Sequence, residues 1–260
     1  MYERELTVRP SDASCRGQIK LRSLINALQD TASVAVSDLE GTPSELMARG
    51  YAWVLTRYEV EFMGPLPTID ERFLIRTFHD PSHGYGTLRV FEMINQKNPG
   101  TPFAWAKTSW LLLDLAAGRP VRPSAHIPEI MERDTEHIDP DFNDIPGITG
   151  ETAATDVPWR IRFHDLDVNG HVNNAAYFEW IYEATPLDLM SWEVRSISAS
   201  FRTSARAGDS LVIRIAETEP SESGAKTFVY NVLKAGESRE TDGRPVKPMT
   251  AFMCGWEPRS

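Results

Sequence analysis

Cysteine is almost missing: Cys15 and Cys254 are the only two in 260 residues. That is too few for a disulfide framework and fits a reducing compartment. Long apolar runs are missing as well. The run around Trp110–Leu115, like every other in the sequence, falls far short of the ~20 residues that cross a bilayer. The opening stretch MYERELTVRP lacks the continuous apolar core of a secretory leader. A cytoplasmic location with no membrane span is the expectation. Basic charge is the minority sign, with 27 Lys and Arg against 37 Asp and Glu and a net charge of −10. This speaks against the concentrated basic face that nucleic acid requires. At 41% hydrophobic content, the chain has enough apolar material for one large core or two ordinary ones.

The same order of signals occurs twice. In the first half, Leu21–Leu39 places Leu21, Leu24, Ile25, Leu28, Ala32 and Ala35 on one helical face. Tyr51–Glu61, Arg72–Phe78, Leu88–Ile94 and Phe103–Leu115 follow as strands rich in aromatic and branched residues. In the second half, Asn173–Met190 reads as a helix broken near Pro186. Val194–Ser204, Ser210–Glu217, Lys226–Lys234 and Met249–Trp256 then read as strands. A GRPV turn in Asp114–Pro123 returns within Glu240–Pro248, either as part of the echo or as ordinary turn chemistry. The proline- and acid-rich stretch Arg122–Pro158 reads as a connection. The pattern predicts an α+β architecture, each central helix wrapped by a curved antiparallel sheet. The expected units are 1–132 and 150–260, joined by a linker at 133–149.

Chemistry concentrates in Phe163–Glu183, FHDLDVNGHVNNAAYFEWIYE, which sets Asp165, Asp167, Asn169, His171, Asn173 and Asn174 within ten residues. If the stretch is extended, alternation aims Asp165, Asp167, Asn169 and His171 the same way. Asn173 or Asn174 then starts a helix whose first N–H groups could hold an oxyanion. The bland alternative is an Asx-rich loop that caps the helix and bonds its own backbone. Other sites are poorly supported. There is no G-x-S-x-G elbow, and neither cysteine has a histidine nearby in sequence. His79 and His83 flank Pro81 beside Gly84, so a loop is expected there and the helical pairing a zinc site uses is absent. Neither a cofactor nor a metal is expected.

DLDVNGHVNN followed by YFEW resembles the active-site segment of acyl-ACP thioesterases, the plant and bacterial enzymes that release fatty acids from acyl carrier protein. LINALQDTA at Leu24–Ala32, GYAWVLTRYE at Gly50–Glu59 and KTSWLLLD at Lys107–Asp114 resemble further family segments, so the likeness covers most of the chain. It implies a tandem (double) hotdog fold, with the acyl pocket largely in the first unit and catalysis in the second. It also implies acyl carrier protein as the partner and Asp167, Asn169 and His171 as the catalytic set. Asp167 would activate water or, less economically, attack directly, with Asn169 fixing water or carbonyl and His171 completing the network. Asn173, Asn174, Ser204, Trp53 and Leu28 are the candidate substrate contacts, although for Trp53, Leu28 and Trp110 plain core is the favoured reading. Where the family carries a Glu on the strand after the helix, this chain has Ser204. Arg195, Arg202 and Arg206 either meet the acidic carrier or form a solvated strand face. An acyl-CoA thioesterase and a non-hydrolytic acyl-binding protein stay open as alternatives, as does a homodimer.

Overall fold

A computed structural model describes residues 1–131, 138–149, 152–218, 224–236 and 247–259. They fall into two compact units, Met1–Phe142 and Asn143–Ser260. In the first unit, β1 (Tyr2–Thr7) leads to α1 (Leu21–Glu40) and the short α2 (Pro43–Ala48). Then come β2 (Tyr51–Phe62), β3 (Arg72–His83), β4 (Gly86–Asn95), β5 (Ala104–Asp114), β6 (Arg119–Val121) and the one-turn α3 (Pro123–His126). The apolar stripe of α1 is buried as its spacing demands: Leu24, Ile25 and Leu28 are fully enclosed. The sheet is antiparallel in the order β1-β3-β4-β5-β2, with β6 as a short hairpin partner of β5.

The second unit repeats the five-strand order of the first, without a counterpart of β6 among the described residues. β7 (Thr155–Arg160), α4 (Asn174–Ala184), β8 (Trp192–Phe201), β9 (Ser210–Glu217), β10 (Lys226–Lys234) and β11 (Thr250–Pro258) give the order β7-β9-β10-β11-β8. Ala175, Ala176, Tyr177, Phe178, Trp180 and Ile181 of α4 are buried, so this helix is apolar around much of its girth. It stops at Ala184, not at Met190 as expected. Thr185 precedes Pro186 and is extended (φ −63°, ψ 128°), as a residue before proline prefers.

Several sequence expectations are corrected. β1 and β7 are strands that the sequence did not announce, because both are short, charged edge strands. Cross-strand ion pairs hold them, Arg76 to Glu3 at 2.7 Å and Arg214 to Asp156 at 2.7 Å. An edge position also tolerates Pro158, which has no N–H to offer. β3 runs through Pro81 to His83 where a loop was expected, and the sheet absorbs the proline with a register shift between Asp80 and His83. The stretch Arg122–Pro158, read as a connection, is partly structured: it holds α3 and the start of β7, and residues from Ile138 to Phe142 pack on the first unit. The Lys107 ammonium, buried against Glu59 at 3.7 Å, donates to the carbonyls of Asp139 and Asp141. It also sits 4.5 Å from the Phe142 ring centroid. The Ile138 amide donates to Asp80 Oδ2 at 3.0 Å. Most of the second GRPV segment, Glu240–Pro248, lies outside the described residues.

Candidate functional site

Asp165 through Asn173 is not extended. Leu166 bridges Val172, the Asp167 amide donates to the His171 carbonyl at 2.7 Å, and the Gly170 amide donates to the Asp167 carbonyl at 3.0 Å. This is a tight hairpin whose turn needs a left-handed residue, supplied by Gly170 at φ 71°. Alternation therefore fails to line up the four polar residues. Asp165 is buried and structural, its Oδ2 accepting from the Arg162 amide at 2.8 Å. Asp167 Oδ1 accepts from the amides of Asn169 (2.8 Å) and His171 (3.0 Å), which fixes the carboxylate within the turn. Its Oδ2 makes no hydrogen bond among the described residues. Asp167 and His171 are half-buried and Asn169 is exposed at the tip. The hairpin thus carries a carboxylate with one unengaged oxygen, an amide and an imidazole at positions 167, 169 and 171 of one turn.

Asn173 is the N-cap of α4: its Oδ1 accepts from the Ala175 amide at 2.8 Å and its carbonyl from the Ala176 amide at 2.9 Å. Those two N–H groups are thereby occupied, which removes them from the anion cradle expected at this helix start. Asn174 opens the first turn, half-buried. Ser204 lies beyond β8, not on it, in an exposed loop. That loop runs beside the hairpin: the Val172 amide donates to the Ala205 carbonyl at 2.9 Å, Arg206 bridges His171, and the buried Tyr177 hydroxyl accepts from the Ala205 amide at 3.0 Å. Burial raises the Tyr177 hydroxyl above its ordinary pKa, so it serves as a neutral anchor. Trp53 and Leu28 belong to the first unit. Leu28 is fully enclosed in its core, and half-buried Trp53 packs against the cluster of Leu46, Leu112, Ile127 and Ile130. Cys15 and Cys254 form no disulfide, and burial pushes the Cys254 thiol up, far from a reactive thiolate.

The first unit contains a second copy of the hairpin, which the sequence reading missed. Ala13 bridges Ile19, the Ser14 amide donates to the Gln18 carbonyl at 2.8 Å, and the Gly17 amide to the Ser14 carbonyl at 2.9 Å. Gly17 sits at φ 73°. The Lys20 amide donates to the Asp12 carbonyl at 2.8 Å, matching Asn173 to Asp165 at 2.8 Å. Gln18 bridges Thr68 as His171 bridges Arg206. In this copy Ser14, Arg16 and Gln18 stand at the positions of Asp167, Asn169 and His171. The backbone is common to both units; the set of carboxylate, amide and imidazole occurs only in the second, and the first carries a hydroxyl, a guanidinium and an amide. The constant spacing from Asp12 and Gly17 to Asp165 and Gly170 was the available signal.

The family model described as the acyl-ACP thioesterase N-terminal domain matches residues 1–131, and that of the C-terminal domain matches 149–241. The chain is 24% identical over 277 residues to acyl-[acyl-carrier-protein] hydrolase FATB2, chloroplastic, of Cuphea viscosissima, covering 100% of this chain and 63% of that protein. A palmitoyl-acyl carrier protein thioesterase of Cuphea hookeriana is also 24% identical, with 63% of its length covered. The chain therefore spans about 63% of the length of these curated relatives. Among solved structures, an acyl-ACP thioesterase from Bacteroides thetaiotaomicron superposes with a TM-score of 0.78 at 22% identity, covering 98% of this chain and 97% of that one. A 12:0-ACP thioesterase from Umbellularia californica gives 0.81 at 19% identity, covering 99% and 94%. The α+β fold is the tandem hotdog of these structures.

Proposed function

Because the chain belongs to the acyl-ACP thioesterase family, we propose that it hydrolyses a fatty acyl thioester of acyl carrier protein to the free fatty acid and the carrier thiol. The observation that carries this reading is the duplicated hairpin, in which one backbone holds Asp167, Asn169 and His171 in the second unit but Ser14, Arg16 and Gln18 in the first. A thioester carbonyl is already activated toward water, so hydrolysis needs a base, a donor to the developing oxyanion and exclusion of bulk solvent.

Asp167 Oδ2 takes the proton from a water as its oxygen attacks the carbonyl carbon. Asn169 donates to the water or the carbonyl oxygen, and His171 completes the hydrogen-bond network around them. Collapse of the tetrahedral intermediate breaks the C–S bond, and the proton held by Asp167 passes to the departing thiolate. Acyl contacts from Asn173, Asn174 and Ser204 belong to the same proposal, as does a cytoplasmic setting suited to reduced thiols. Among the described residues no helix is long and apolar enough to cross a membrane.

The test is a chain-length series of acyl-ACP thioesters, with matched acyl-CoA substrates, followed by thiol release. Turnover of acyl-ACP above acyl-CoA is the expected result. Equal or greater turnover of acyl-CoA reassigns the carrier, and no turnover of either overturns the hydrolase reading.

A further inference from the structure

The loop that carries the candidate site also carries two large apolar side chains left in solvent. Phe163 is 83% exposed and Val168 is 98% exposed, on either side of Asp167. Single exposed apolar residues are ordinary. Here two flank a site, and the charge around them is of one sign. In the adjoining segments 160–174 and 202–210, Arg160, Arg162, Arg202 and Arg206 are all exposed. The carboxylates there are withdrawn: Asp165 is buried, Asp167 is half-buried inside its turn, and Asp209 pairs with Lys234 at 3.2 Å. Arg206 faces His171 across the bridge between the two segments, and Arg160 pairs with Ser210 at the neighbouring strand end. Arg195, a third candidate from the sequence, drops out because Glu193 (3.0 Å) and Glu257 (2.9 Å) neutralise it.

We propose that Arg160, Arg162, Arg202 and Arg206, with Phe163 and Val168, form the docking surface for an acidic carrier protein that delivers its thioester arm to Asp167. The proposal rests on the hydrolase reading above. Charge complementarity selects the occupant: a chain of net charge −10 here carries four exposed arginines and two exposed apolar side chains on the paired segments that hold the candidate site, and interfaces combine apolar and charged groups in this way. Such a rim raises the encounter rate with an acidic partner and repels a second copy of an acidic chain elsewhere on its surface.

The test compares acyl-ACP with the matched acyl-N-acetylcysteamine thioester, which has no carrier to dock. In the triple variant Arg160→Glu/Arg162→Glu/Arg202→Glu, kcat/KM for acyl-ACP falls at least about tenfold relative to that for the small thioester, and its dependence on ionic strength flattens. Phe163→Ser/Val168→Ser raises KM for acyl-ACP with little change in kcat. The triple Arg→Lys variant keeps the carrier preference, which separates charge from folding. Direct titration of holo-carrier into Asp167→Asn protein reads docking without turnover. If neither thioester is cleaved, the hydrolase reading fails, while the titration still judges the surface. Equal loss on both substrates, carrier binding unaltered by the charge reversal, or sedimentation with anionic phosphatidylglycerol vesicles in place of carrier binding each overturns the docking proposal.

Discussion

Replacing Asp167 by Asn removes the charge while keeping the shape. Asp167 Oδ1 accepts from the amides of Asn169 (2.8 Å) and His171 (3.0 Å), and an asparagine oxygen can accept both. Exchanging charged for neutral acceptors weakens each bond, and at a half-buried turn the total cost is about 1 kcal/mol, or roughly 2–4 °C in Tm. Asp167→Ala instead leaves the exposed Asn169 amide to water and strands the part-buried His171 amide, at a cost of about 2 kcal/mol. Turnover behaves differently. Both variants lose the base and fall by about 10²–10⁴-fold, equivalent to about 3–5 kcal/mol on the barrier. Thiol release from acyl-ACP, measured beside thermal unfolding of the same preparations, separates the two effects. A folded Asp167→Asn protein with turnover within about threefold of the parent refutes the assignment of the base. Equal stability of the Ala and Asn variants refutes the account of the turn.

Ser204→Ala is expected to leave turnover within several-fold, because a serine hydroxyl at most orients a water, worth about 1 kcal/mol. Loss of all activity in the folded variant would replace Asp167 with a serine-centred mechanism. Ser204→Glu adds a second carboxylate near the hairpin and shifts the acid limb of the kcat/KM profile upward through like-charge coupling; an unmoved limb places position 204 out of range. Glu71 tests the fold. The Lys97 ammonium, then the Thr68 amide and the Asn95 side chain, hold its carboxyl at about 2, against an ordinary value of 4.5. A depressed carboxyl stabilises the fold above its unfolded pKa, so this contribution, on the order of 2–3 kcal/mol, is lost as pH falls from about 4.5 toward 2. Denaturant unfolding of Glu71→Gln should therefore differ from the parent at pH 6 and converge on it near pH 2.

Legibility in the sequence followed what each signal measures. β9 and β10 have the ends that composition indicated, Ser210–Glu217 and Lys226–Lys234, because their branched and aromatic residues are buried. β1 and β7 escaped because an edge strand held by Arg–carboxylate pairs carries no such signature. Residues 138–142 looked like linker because the first unit grips them mainly through backbone groups, with Lys107 and Asp80 as partners. At the site, the residue types were legible but their geometry was not. Period-two reasoning assumes an extended chain, and Asp167 with Gly170 closes a turn instead. The partner hairpin at Ser14–Gln18 was hidden because what the two copies share is main-chain hydrogen bonding, which has little side-chain spelling.

That shared main chain separates two kinds of information within one protein. The form of each hairpin is written largely in amide–carbonyl bonds and one left-handed glycine, while the reactivity proposed for the second is assigned to three side chains projecting from the turn. Mutation at those three positions can therefore erase or alter chemistry without unmaking the support, as Ser14, Arg16 and Gln18 illustrate on an intact backbone. A duplicated scaffold of this kind lets the side chains of one copy change without those of the other, and the same property makes the first copy a ready socket for grafting a new constellation.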